Sequence, residues 1–199
     1  MDILGEKTTA GNMENGRGWH RNRWRIAAWS AAALLLLLPL LAGAPWTLSD
    51  FVFAGVLILG VGIAFELAVR KTGDAAYRAG VGVALAGAFL LTWVNAAVGI
   101  TDSDADGLYL VVVAIGIIGA FVALFRPSGM ASAMFATAAA QTLVGVIALV
   151  AGVVPEHNSA LEILGITGFF VTLFVGSALL FREAARGAQS CSARVSPMS

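Results

Sequence analysis

The sequence predicts an all-α protein, an integral membrane bundle of six transmembrane helices, and three observations predict it. Charge is scarce: of 199 residues, 59% are hydrophobic and only 12% charged, with a mean hydropathy of +0.86. Soluble domains carry about 25% charged residues, so this chain lacks the polar surface to coat a water-facing globule, whereas a bilayer accepts apolar side chains on the outside. Apolar runs of spanning length recur six times. Lysine and arginine fall only in alternate connections between those runs.

The runs cover 26–44, 51–69, 79–100, 107–125, 130–153 and 163–181. Each is near the roughly 20 residues that cross about 30 Å of hydrocarbon. The first could be read as a signal peptide, with a basic flank over 17–25 and a small-residue stretch at Ala42-Gly43-Ala44. Pro45 would follow the cut directly and fit a peptidase poorly, and the run is long enough to span. It reads as an uncleaved first helix. Short connections make neighbouring helices antiparallel hairpins, and none of the runs alternates as a barrel strand would. The organisation is therefore a basic tail over 1–25, a six-helix membrane domain over 26–182 and a C-terminal tail over 183–199. Residues 1–16 and 186–199 are polar, small and aperiodic, and are expected to be mobile.

Orientation follows from the basic residues. Lys7, Arg17, Arg21, Arg23 and Arg25 precede the first run; Arg70, Lys71 and Arg78 fill the second connection; Arg126 fills the fourth; Arg182, Arg186 and Arg194 follow the sixth. Together they are the whole complement of 12. The other connections carry Asp50, Asp102, Asp104, Asp106, Glu156 and Glu162 with no base. Both termini are thus expected in the cytoplasm, and the number of helices is expected to be even. Trp24, Trp29, Trp46, Trp93, Tyr77 and Tyr109 lie near run ends, the positions of an interfacial aromatic belt.

A frame of 56 residues relates the even-numbered runs: Asp50, Asp106 and Glu162 open them, and Arg70, Arg126 and Arg182 close them. Acid first and arginine last complements the helix dipole, which explains the frame as boundary marking. Three repeated helical hairpins are the alternative, with Gly60/Gly116, Ala64/Ala120, Phe65/Phe121 and Gly73/Gly129 also coinciding.

Few residues suggest chemistry. Asp102-Ser103-Asp104-Ala105-Asp106-Gly107 opens like a calcium loop, but the twelfth position, which needs a bidentate glutamate, is Val113. A solvated acidic loop is the expectation. His20 and His157 fall on opposite sides, so neither a haem nor a zinc site is supported. Cys191 alone provides no disulfide framework. No nucleophile with a base and no phosphate loop is visible. The chain is expected not to be an enzyme, with no cofactor, no metal and no nucleic-acid partner. Glycines at Gly60/Gly62, Gly80/Gly82 and Gly116/Gly119 instead suit close helix approach.

The candidate functional residues are polar groups inside runs: Glu66, Asn95 and Gln141, with Thr137, Thr167 and Thr172 as lesser ones. Each also has a structural explanation. Glu66 stands four residues before Arg70 and can pair with it along one helix face. Asn95 lies near the outer edge, and Gln141 can bond across helices.

The segments Trp46-Thr47-Leu48-Ser49-Asp50-Phe51, Tyr77-Arg78 and Trp93-Val94-Asn95-Ala96-Ala97-Val98-Gly99-Ile100 resemble an uncharacterised family of small multi-pass bacterial inner-membrane proteins. The resemblance covers about 46–150 and implies a bacterial plasma membrane and a helical bundle. It implies no activity and no site. The expectation that follows is a non-enzymatic bundle in the lipid bilayer, either accessory to a larger membrane complex or a homo-oligomer. A small transporter or channel using Glu66, Asn95 and Gln141 is the alternative.

Overall fold

Long apolar runs become helices because, without water, each backbone N–H and C=O must bond within its own segment. The computed structural model describes residues 26–27, 29–43, 45–98, 106–151 and 160–195, which form six helices and no strand. They are α1 (Trp29–Leu41), α2 (Leu48–Lys71), α3 (Ala75–Val98), α4 (Asp106–Val122), α5 (Pro127–Val150) and α6 (Ala160–Val195). Spans long and apolar enough to cross a membrane occur in four of them, at Leu48–Arg70, Ala75–Ala96, Pro127–Val150 and Ala160–Ser190. These suggest a multi-pass membrane protein. Helices α1 and α4 are apolar but shorter.

The chain divides into compact units of residues 1–59 and 60–199, with α2 crossing the boundary. In the first unit, the turn after α1 includes Gly43, whose φ of +66° suits a residue without Cβ. Helix α2 then begins at one half of a capping box, in which the Asp50 side chain reaches back to Thr47. Thr47 donates its N–H and its hydroxyl to the Asp50 carboxylate, each at 2.7 Å. Trp46 and Phe51 flank that cap as a hydrophobic staple, with ring centroids 5.2 Å apart. The Trp46–Phe51 segment is thus a helix-start device.

In the second unit, α3 packs on α4 and α6, and α5 packs on the same two helices, closing a four-helix ring. The α3–α6 seam is built from phenylalanines on glycines. Phe181 and Phe174 pack so closely over Gly80 and Gly87 that an added Cβ would lie 3.2 and 3.1 Å from their rings. Ser177 donates to the Gly80 carbonyl at 2.8 Å across the same seam. On the α4–α5 seam, a Cβ on Gly119 would meet the Ala133 Cβ at 2.8 Å. Close approach therefore does need glycine at these positions. At Gly60 a Cβ would meet nothing within 4 Å.

Helix limits differ from the expected runs where local polar bonds decide them. Helix α3 starts at Ala75 rather than 79 because Asp74 accepts the Tyr77 N–H at 2.7 Å, an N-cap that draws Tyr77 and Arg78 into the helix. Arg78 then bonds the Thr72 and Val69 carbonyls, at 2.9 and 3.2 Å, and so closes the end of α2. Helix α4 stops at Val122, where the chain reverses through Leu124 and Phe125 at φ 49° and 57°. Phe125 N–H reaches the Ala120 carbonyl and Leu124 N–H the Phe121 carbonyl, a Schellman pattern without its usual glycine. Pro127 opens α5 with Arg126 as N-cap.

Helix α6 does not end at 181. It runs 36 residues, about 54 Å, to Val195, so the segment expected to be aperiodic is helical as far as that residue. Arg182 lies inside α6 and Arg126 caps α5, which leaves Arg70 as the arginine of the 56-residue frame that sits at its helix's end. The acidic half of the frame fares better, with Asp50, Asp106 and Glu162 all in first turns. Of the Asp102–Gly107 loop, residues 102–105 lie outside the described residues, as do His20 and His157.

Candidate functional site

The three polar residues predicted inside the spans fall at different levels of the second unit. Glu66 Oε1 accepts a hydrogen bond from an Arg70 guanidinium nitrogen at 2.8 Å, one helical turn on. By the rise of an α-helix this pair lies within about 8 Å of the end of α2, whereas Asn95 is about 30 Å along α3 and Gln141 about 21 Å along α5. Asn95 is half-buried. Gln141 is fully buried, and among the described residues its amide oxygen and nitrogen meet no hydrogen-bond partner. The threonines are mostly turned to their own helices: Thr137 donates to the Ala133 carbonyl and Thr172 to the Gly168 carbonyl. Thr167 packs where a Cβ on Gly145 would stand, joining α5 to α6.

A cavity of about 600 Å³ lies elsewhere, among the second half of α2 and helices α3, α4 and α5. Small residues contribute to its walls, Ala84 and Ala88 from α3 and Gly116 and Ala120 from α4, with Met134 of α5 and Phe174 of α6 also lining it. None of Glu66, Asn95 and Gln141 lines it. Arg70, Tyr77 and Phe125 line one end, where α2 finishes, α3 starts and α4 turns into α5. Tyr77 was expected in an interfacial belt, but it is buried, its hydroxyl donates to the Phe125 carbonyl at 2.8 Å, and its ring meets Phe181 edge-on. Tyr109, expected in the same belt, is buried as well.

No protein family, no curated protein and no solved structure matches this chain.

The cavity was missed by sequence reasoning because alanine and glycine on α3 and α4 look like close-packing residues. The space is lined from several helices at once, and which small residues share it is invisible before the helices are placed together. One signal was present: Gly116 and Ala120 stand four residues apart, as do Ala84 and Ala88, so each pair lies on one helix face.

Proposed function

We propose that this protein is a six-span, non-enzymatic bundle of a bacterial inner membrane, with both termini in the cytoplasm, that works by associating with copies of itself within a membrane assembly. One observation carries this reading: the outward face of α6 presents Gly168, Thr172 and Gly176 at four-residue spacing. Beyond the local helix backbone, no heavy atom of the described residues lies within 4 Å of where a Cβ on either glycine would stand. The Thr172 hydroxyl is bonded to its own helix at 2.7 Å. Such a stripe gives a neighbouring helix close backbone approach, which is how membrane helices associate where burial from water supplies no drive. Six spans follow from the charges, since α1 and α4 must also cross to keep all 12 basic residues on one side. Local thinning of the bilayer accommodates their shorter lengths.

Two-colour single-molecule photobleaching in native nanodiscs tests the association. Wild type should give dimers or larger assemblies, and Gly168→Leu with Gly176→Leu should give monomers. Monomers in the wild type would sink the proposal. Reporter fusions after residues 104 and 157 should read as periplasmic, and fusions after 73, 128 and 190 as cytoplasmic. A small transporter is the second reading, favoured by the buried Gln141 amide. It is the weaker one because none of Glu66, Asn95 and Gln141 lines the cavity beside α2.

A further inference from the structure

We propose that the cavity beside α2 is a binding site for an anionic phospholipid, with one acyl chain in the cavity and the phosphate against Arg70. This goes beyond the association proposed for α6 and involves a different face of the protein.

The walls are apolar along their length. From Tyr77 to Ala88 they extend about 16 Å along α3. The two other polar residues in the lining ask for no polar ligand, since Tyr77 and Thr137 donate their hydroxyls to the Phe125 and Ala133 carbonyls. An apolar space of this kind stays dry, and its lining lacks dispersion partners until something apolar enters. Entry is from the side. Leu67 on α2 and Phe121 on α4 both line the cavity and are 59% and 63% exposed, so the gap between these helices opens where lipid chains lie.

Charge sits at one end only. Arg70 is the cationic residue in the lining, its side chain is 64% exposed, and its bond to Glu66 uses one nitrogen of the guanidinium. A guanidinium has five N–H donors in a planar fork that matches phosphate. Arg78 lies at the same end, with its own N–H groups bonded to the Thr72 and Val69 carbonyls. A cation at the helix end with an apolar trough running inward from it is the complement of an anionic amphiphile. A helix from a second copy fits less well. At about 10 Å across and the same length, it would need roughly twice the cavity's volume.

Native mass spectrometry of the full chain, delipidated and then mixed with equimolar dioleoyl phosphatidylglycerol and dioleoyl phosphatidylethanolamine, tests the proposal. One basic residue at a membrane surface favours an anionic lipid about five-fold, and the first bound lipid on the wild type should show that preference. Arg70→Gln should bring the ratio close to one and Arg70→Lys should restore most of it. Glu66→Gln, which removes the competing carboxylate, should raise it. Arg186→Gln, on a residue outside the cavity, should leave it unchanged. Ala84→Trp should abolish the first bound lipid, with circular dichroism checking that the helices persist; if they do not, the Arg70 and Arg186 variants decide. An Arg70→Gln protein with the wild-type ratio would overturn the proposal. So would a folded Ala84→Trp protein that keeps its lipid, or a lipid-free dimer that Ala84→Trp dissociates. Lipid binding should survive Gly168→Leu with Gly176→Leu, so failure of the association on α6 and failure of this site are told apart.

Discussion

Helix α3 has two neighbours in the ring, and it meets them differently. Toward α6 it offers Gly80 and Gly87, and α6 answers with the rings of Phe181 and Phe174. Toward the cavity it offers Ala84 and Ala88, which line that space together with Ala120 of α4. The first seam is filled and adds a cross-helix hydrogen bond from Ser177. The second is left with a cavity of about 600 Å³. Small residues make a tight interface only when the opposite helix supplies bulk or brings its backbone into contact. Composition alone does not distinguish the two outcomes.

The largest break in this comparison is expected from Phe181→Ala. Phe181 is fully buried and packs on both Gly80 and Tyr77. Its removal should cost about 3–5 kcal/mol, in the range for buried aromatic truncations, read as a fall in thermal unfolding temperature in mild detergent. A loss under 1 kcal/mol would mean that the α3–α6 seam collapses around the gap and is less filled than its geometry implies.

Adding bulk should have opposite signs on the two sides of α3. Gly80→Leu forces a side chain into a space where a Cβ alone would lie 3.2 Å from the Phe181 ring, and overpacking of this kind costs about 1–3 kcal/mol. Ala88→Leu projects into the cavity and should stabilise delipidated protein by about 0.5–2 kcal/mol, as cavity filling commonly does. If the two variants shift the unfolding temperature in the same direction, the contrast between the seams fails.

Tyr77 ties the filled seam to the turn. Its ring meets Phe181 and its hydroxyl holds the carbonyl of Phe125, the second of two consecutive left-handed residues that are not glycine. Tyr77→Phe keeps the ring and removes the hydrogen bond, for an expected cost of about 0.5–1.5 kcal/mol. Hydrogen exchange should localise the effect to 123–126. Protection unchanged there would show that the Schellman bonds hold the turn unaided.

How much of this could be read from the sequence follows the same division between periodicity and partnering. Helical class was legible, because runs of about 20 apolar residues without strand-like alternation suit helices and not the shorter alternating strands of a barrel. Asp50 was legible as the acid opening α2, but the apolar runs set the starts of α2 and α5 at 51 and 130, three residues late, because they pass over the Thr47–Asp50 cap and Pro127. Asp74 carried an equally clear N-cap signal, but counting apolar residues passes over it and sets the start of α3 four residues late. The far end of α6 was illegible by hydropathy, since after Arg182 the helix continues through polar, small residues with Ala184 still buried. The cavity needed the pairing of two helix faces, and a sequence lists each face separately. Glu66 is the opposite case: four-residue spacing placed it beside Arg70, and the two are bonded at 2.8 Å.

That pair gives the smallest expected effect. Glu66 and Arg70 share one helix face, and a pair at this spacing contributes about 0.2–0.5 kcal/mol in isolated helices. Arg70's side chain is 64% exposed, which holds the contribution toward the lower end. Glu66→Gln retains an oxygen that can accept the same guanidinium N–H, so the unfolding temperature should stay within error of wild type. The substitution still removes a negative charge from beside the cation that lines the cavity, so any effect should show in which lipid is retained rather than in stability. A loss above about 1 kcal/mol, beyond what such a pair supplies, would show that the carboxylate has a further essential partner. The pair would then belong with the filled seam, as a structural contact, and not with the open one.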